Sequence, residues 1–105
     1  MFARHVSLCL KPNTRGELTR IFDKEVIPML RKQSGFRDEI IFALPGGPNV
    51  VAISLWDTKE QAEAYNAAGY PAVLKILHKV LDGTPKVQVS DVISSTIYQS
   101  AAVAA

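Results

Sequence analysis

A chain of 105 residues, of which 48% are hydrophobic, is long enough for one folded domain and too apolar for a disordered segment. Its formal charge of +2 is small, and bases and acids are interspersed along the first predicted helix, so a nucleic-acid partner is not expected. The single cysteine, Cys9, cannot form an internal disulfide, which fits a reducing compartment. The sequence offers neither a signal peptide nor an apolar run of about 18 residues, so no membrane partner is expected. We therefore expect one cytoplasmic domain over residues 1–100, with residues 101–105 as a frayed tail.

The first half of the chain predicts a strand, a helix and a second strand. Residues 2–11 alternate, with Val6, Leu8 and Leu10 on one side. Thr14 and Glu17 have the spacing of a capping box, which predicts a helix that begins at Thr14 and ends at Gly35. Its apolar positions, spaced by three and four, are Leu18, Ile21, Phe22, Val26, Met29 and Leu30. Pro28 removes one backbone hydrogen bond and should bend the last turns.

A hairpin is predicted next. Residues 36–44 form the second strand, with Phe36, Ile40, Phe42 and Leu44 on one side. Residues 45–49 are all turn-forming residues and join it to the third strand, 50–56. Because this third strand is apolar on both sides, it should be central in the sheet.

The remainder predicts a divided helix and a last strand. Asp57 or Thr58 should cap the helix, and Thr58 with Gln61 has capping-box spacing. The segment 69–71, Gly-Tyr-Pro, interrupts the helix, and Gly83 ends it. The last strand extends roughly over 86–98, with a change of phase around 90–91 that is typical of a bulge.

The order strand, helix, strand, strand, helix, strand predicts an α+β fold of the ferredoxin-like type, a four-stranded antiparallel sheet with both helices on one face. The opposite face would then expose an apolar patch larger than monomers usually tolerate. We therefore expect a homodimer that packs sheet against sheet, with the last strand reaching across to the partner.

Three stretches carry a resemblance to a known family. They are Lys11-Pro12-Asn13 at the end of the first strand, residues 26–36 at the end of the first helix, and the junction 55–62 followed by Tyr65. Through them nearly the whole chain resembles the antibiotic biosynthesis monooxygenase (ABM) superfamily of dimeric α+β barrels. The resemblance implies that fold. Members of the superfamily include cofactor-free oxygenases of electron-rich aromatics or quinols, haem-degrading enzymes and small proteins of unknown role.

Cofactor-free oxygenation requires a dry aromatic cavity and a base that takes a proton from the substrate. Trp56, Tyr65, Tyr70 and Phe22 are the predicted walls, although the strand-end position of Trp56 favours a core anchor over a substrate contact, and the two tyrosines could equally be packing residues. His78, on the border of the second helix, is the predicted catalytic base, against the alternative of a solvated surface histidine.

No cofactor and no metal are expected, because the chain has two histidines and lacks any zinc-binding spacing. Haem-degrading members of the superfamily resemble one another in an Asn, a Trp and a His, whereas this chain aligns Val6 and Tyr65 with the first two, so haem degradation is the lesser expectation. The predicted function is a cofactor-independent monooxygenase of a small phenolic, quinol or polyketide-like aromatic. The alternative is a non-catalytic dimeric module that binds a small apolar or aromatic ligand or serves in a stress response.

Overall fold

A computed structural model describes residues 1–97 of the chain. Its four strands are β1 (Phe2–Cys9), β2 (Phe36–Ala43), β3 (Asn49–Trp56) and β4 (Lys86–Asp91). They form one sheet in the spatial order β2-β3-β1-β4, and every neighbouring pair is antiparallel. This architecture confirms the ferredoxin-like α+β fold, and the apolar strand β3 is one of the two central strands, as its sequence predicts.

The helical segments lie between the strands in two groups. The first group is α1 (Arg15–Ile21), a π-helical turn (Phe22–Val26) and α2 (Ile27–Arg31). The second is α3 (Lys59–Ala68), α4 (Tyr70–Leu77) and a short 3-10 turn (His78–Val80). Instead of a simple bend, the interruption at Pro28 takes the form of the π-helical turn, because proline lacks the N–H that would bond one turn back. Gly69 ends α3 and precedes α4, as predicted.

The two predicted helix caps have different outcomes. The capping box at Thr14 is wrong: its hydroxyl donates to the Lys11 carbonyl (2.7 Å), no side chain caps the helix, and the helix begins one residue later. At the second helix the Thr58 hydroxyl accepts from the Gln61 amide (3.2 Å), as predicted. Asp57 instead forms a bidentate ion pair with Arg37, with distances of 2.6 and 2.7 Å.

A register shift near the start of β2 changes which side chains face the helices. Between Phe36 and Asp38 the strand slips against β3, so Phe36 packs beside the Trp56 ring on the helix side, 5.6 Å between centroids. The prediction that Phe36 shares a side with Ile40 and Phe42 is therefore wrong, because a bulge inserts one residue between them. The row that follows on the helix side begins with Glu39, opposite Ser54.

The core fills the space between the sheet and the helices, and its most deeply buried large side chains are Trp56, Ile21, Leu30, Val26 and Val80. On the other face of the sheet Ile40 and Phe42 are exposed, and Val51, Ile53 and Leu55 are half-buried.

Strand β4 is shorter than the predicted 86–98. It ends at Asp91, opposite Phe2, and one further bond joins the Val92 amide to the Met1 carbonyl (3.0 Å). Residues 98–105, including the predicted tail, lie outside the described residues. In the part of the chain that the structure describes, no helix is long and apolar enough to cross a membrane.

Candidate ligand-binding site

A narrow cavity lies between the helix face of the sheet and the helices that cover it. Its walls are mostly aliphatic and aromatic, and the lining residues are Arg4, Val6, Leu8, Phe22, Val26, Leu30, Glu39, Ala52, Ser54, Tyr65, Tyr70, Val73, Leu74 and Leu77. Three of these, Glu39, Tyr70 and Leu74, are partly exposed and form the rim. The cavity has a volume of about 30 Å³, which is room for about two water molecules. An aromatic ring therefore enters only if rim side chains move.

A buried cation, Arg4, lies at the polar end of this cavity. The residue is only 3% exposed, although it belongs to the central strand β1. Its Nη2 donates to Oδ1 of Asn66 on α3 (2.8 Å), and its guanidinium carbon lies 5.0 Å from the Tyr65 ring centroid and 4.5 Å from that of Tyr70. Burial lowers the pKa of Arg4, while the two tyrosines and Glu39 oppose that change, and an arginine remains charged at neutral pH. The cavity thus contains a fixed positive charge held over two aromatic rings.

The acid of the site is Glu39, on the rim opposite the helices. Burial raises the pKa of Glu39 to about 8, and the positive charge of Arg4 acts in the opposite direction. Its carboxyl group is therefore mostly protonated at pH 7. Among residues 1–97, the ion pairs within 4.0 Å include none that joins Glu39 to Arg4. Glu39 and Arg4 therefore both line the cavity without forming a direct ion pair.

The aromatic residues form a stack that supports the cavity. The Tyr65 ring lies on the Trp56 ring, with centroids 5.0 Å apart and planes inclined by 28°, and Tyr70 follows at 6.2 Å from Tyr65. Trp56 is fully buried and donates its Nε1–H to the Ser54 hydroxyl (2.9 Å). Burial raises the pKa of Tyr65 far above its ordinary value and also raises that of Tyr70. Both phenols are therefore neutral at physiological pH.

A glycine at the junction of α3 and α4 gives Tyr65 its space. A Cβ atom built on Gly69 would lie 2.7 and 2.9 Å from two carbons of the Tyr65 ring, closer than real Cβ atoms approach. The residue at position 69 therefore helps to determine where the aromatic wall lies, through packing rather than through contact with a ligand.

The structure brings together three of the five predicted site residues. Phe22, Tyr65 and Tyr70 line the cavity, while Trp56 lies behind Tyr65 and supports it. His78 is exposed in the 3-10 turn after α4 and is not among the lining residues. Its role as a base stays a prediction, and its position does not support it.

Sequence reasoning missed Arg4 and Glu39. Arg4 has the same parity as Val6, Leu8 and Leu10, so a charged residue within the inward row of β1 was an available signal. Glu39 had no such signal, because the bulge after Phe36 reverses the apparent phase of β2. In the described range 1–97, no group of three or more His, Cys, Asp and Glu side chains is placed to hold a metal ion.

The fold and the cavity define a class: a ferredoxin-like α+β domain with a mainly apolar cavity under its helices. No family model matches the sequence, and no curated protein matches it. Solved structures, in contrast, do match the fold of this chain.

Many solved structures are similar to this chain, and three examples cover most of its length. A monooxygenase of Streptomyces coelicolor, from the gene ActVA-Orf6 and in complex with nanaomycin D, has a TM-score of 0.75 and 21% identity and covers 93% of this chain and 92% of its own. SnoaB of Streptomyces nogalater, described as a cofactor-independent oxygenase, has a TM-score of 0.73 and 13% identity, covering 90% and 95%. A putative antibiotic biosynthesis monooxygenase of Bordetella bronchiseptica has a TM-score of 0.75 and 11% identity, covering 89% and 97%. The chain therefore has the fold of ABM-type structures, which confirms the resemblance at the level of fold.

Proposed function

We propose that this protein is a cofactor-independent monooxygenase that oxidises a small phenolic, quinol or polyketide-like aromatic substrate in the cavity under its helices. The observation that carries the proposal is the buried Arg4, placed over Tyr65 and Tyr70 and across from the carboxyl group of Glu39, at the end of an otherwise apolar cavity. The similarity in fold to SnoaB and to the Streptomyces coelicolor enzyme supports the same chemistry.

In this proposal Arg4 stabilises the oxyanion of the bound substrate. A guanidinium group donates several hydrogen bonds to an anion, and its attraction is stronger in an environment that excludes water. The electron-rich anion then transfers one electron to dioxygen, and the resulting radical and superoxide combine at a ring carbon that carries hydrogen. The product of this step is a peroxide anion on the ring.

Glu39 is the proposed donor of the proton that the peroxide requires. Because its pKa is raised to about 8, the carboxyl group is largely in the acid form at neutral pH. Loss of water from the hydroperoxide gives a quinone, and Glu39 regains from solvent the proton that the phenol released there on ionisation. One phenol and one dioxygen thus yield one quinone and one water. One oxygen atom enters the product, the other leaves as water, and no external reductant is consumed.

We further propose that the protein acts as a homodimer through the faces of the sheet that the helices leave uncovered. Ile40 and Phe42 are exposed there, and Phe42 has 48% of its surface accessible. A stable interface buries about 800 Å² on each partner, and an apolar sheet face can supply that area. The dimer would protect this apolar face from water.

Oxygen uptake tests the proposed function. Purified protein free of flavin and metal is incubated with a panel of phenols and quinols, and oxygen consumption is compared with the protein-free rate for each compound. The expected result is protein-dependent uptake of one dioxygen per product, with one atom of ¹⁸O from labelled dioxygen in the product. Arg4→Met should reduce the rate constant at least about tenfold.

Two outcomes would contradict the proposal. Uptake that does not exceed the protein-free rate with any compound that binds would support the alternative of a non-catalytic ligand-binding module. Full activity of Arg4→Met would remove Arg4 from the mechanism. A matched control is Lys75→Met, which removes an exposed cation of α4 that does not line the cavity.

A further inference from the structure

The resting cavity has a cation, and none of its lining groups is mostly in a proton-accepting form at neutral pH. Glu39 is mostly protonated there, and burial raises the pKa values of Tyr65 and Tyr70. His78, the base that the sequence suggested, is exposed and does not line the cavity. A neutral phenol entering the resting site would therefore meet a Glu39 side chain that mostly carries its proton already.

The charge of Arg4 has no anionic partner within ion-pair distance. Its hydrogen-bond partners, the amide of Asn66 and the hydroxyl of Tyr65, are neutral, and no ion pair within 4.0 Å involves it among the described residues. A buried cation without a counter-ion is costly, and interaction with two tyrosine rings offsets only part of that cost. A guanidinium group has five N–H donors, and the bonds to Asn66 and Tyr65 do not use all of them.

We propose that the cavity selects substrates that are already ionised when they bind, namely acidic phenols and enols held as oxyanions against Arg4. This inference rests on the proposed function where it treats such compounds as substrates and not only as ligands. The oxyanion supplies the counter-ion that Arg4 lacks, and the aromatic ring of the ligand lies beside Tyr65 and Tyr70. A ring of the same shape without the negative charge leaves Arg4 uncompensated and binds more weakly.

The charged and titratable groups around the site determine how this selection depends on pH. Arg4 is faced by Tyr65 from α3, Tyr70 from α4 and Glu39 from β2, and Glu63 shares a neighbouring groove with it. Glu39 also borders surface grooves lined by Arg15 of α1, Asp23 of the π-helical turn, Arg31 of α2, and Arg37 and Asp38 of β2. Of the groups that act on Arg4, Glu39 is the one whose charge changes near neutrality.

Glu39 should compete with an anionic ligand once it ionises. Its pKa is about 8 in the free protein, and a second negative charge beside it would raise that pKa further in the complex. The affinity for an anion should therefore fall by up to about tenfold per pH unit above pH 8, since the complex retains a proton that the free protein loses. Glu39→Gln removes this decrease.

The probe for the test is 4-nitrophenol, which ionises near neutral pH and whose anion absorbs visible light. Its neutral match is 4-nitroanisole, in which a methyl group replaces the acidic proton. We expect the nitrophenolate to bind about 30-fold or more tightly than 4-nitroanisole, measured by titration calorimetry. The absorbance of bound nitrophenol should show an apparent pKa lowered by about one pH unit or more, because the anion binds preferentially.

Variants assign this preference to Arg4. Arg4→Met should abolish both the preference for the anion and the change in absorbance, Arg4→Lys should retain part of each, and Lys75→Met should behave as the unmodified protein. If Arg4→Met does not fold, the alkaline decrease in affinity and its loss in Glu39→Gln still test the inference. Equal affinity for both probes, an unchanged preference in folded Arg4→Met, or no binding of nitrophenol at millimolar concentration would each overturn it.

Failure of the inference differs from failure of the proposed function. Nitrophenol is too electron-poor to be oxidised readily by dioxygen, so its binding reports on the anion site alone. Anion preference without oxygen uptake from any electron-rich phenol would retain the inference for ligand binding and refute the monooxygenase. Oxygen uptake from neutral phenols, without a preference for anions, would support the monooxygenase and refute the anion preference.

Discussion

Replacing Gly69 by alanine tests the packing that positions the aromatic wall. Gly69 has φ −95° and ψ −39°, which alanine adopts readily, so on backbone grounds the change should stabilise the protein by about 0.4–1 kcal/mol. Against this gain, the new Cβ would lie 2.7 Å from the Tyr65 ring. Such overpacking typically costs about 1–3 kcal/mol.

The surroundings of Tyr65 decide which effect is larger. The ring is buried, with Trp56 stacked at 5.0 Å and the Arg4 guanidinium carbon at the same distance from its centroid, so it has little room to move away. We therefore expect Gly69→Ala to lower the free energy of unfolding by about 1–2 kcal/mol. Displacement of Tyr65 should also weaken ligand binding in the cavity.

Gly16→Ala is the matched control, because Gly16 lies in α1 and a Cβ there would contact nothing within 4 Å. It should stabilise the protein by about 0.4–1 kcal/mol. Both variants are unfolded in urea at one fixed protein concentration, with the fluorescence of Trp56, the single tryptophan, as the signal. Equal or greater stability of Gly69→Ala, compared with the unmodified protein, would refute the packing argument.

Three further changes test the acid, the predicted base and the sheet face. Folding raises the pKa of Glu39 from 4.5 to about 8, so its contribution to the free energy of unfolding is fully present below about pH 4.5 and is lost as the pH rises through 8. The loss amounts to up to about 1.4 kcal/mol per pH unit. Glu39→Gln should flatten this decrease, measured by urea unfolding at several pH values. His78→Ala should leave oxygen uptake within about twofold of the unmodified protein, because His78 lies outside the cavity; a loss beyond about tenfold would instead support the base predicted from the sequence. Phe42→Asp should convert the proposed dimer to monomers in sedimentation experiments, whereas Ala64→Asp on α3 should not; an unchanged mass for Phe42→Asp would argue against the sheet interface.

The sequence by itself determined the order of the elements and much of their placement. Alternation identified β1, a short run that is apolar on both sides identified β3, the spacing of apolar residues identified both helical groups, and the turn residues 45–49 identified the hairpin. These patterns are local, since each depends on residues within one turn or one strand. The same locality explains why Phe22 and Tyr65 could be selected as cavity residues from the sequence, because each lies on an inward helix face, whereas Tyr70 was selected as an aromatic residue of the interruption 69–71.

The tertiary structure decided the chemistry of the site. Arg4 and Glu39 lie on strands separated by β3, and whether they share a cavity depends on the sheet order and on the bulge after Phe36. The exposure of His78 likewise depends on a 3-10 turn that the apolar spacing of α4 does not reveal. A pKa is a property of the environment of a group, so the protonated Glu39 and the unpaired charge of Arg4 exist only after strands and helices from distant parts of the chain have enclosed them.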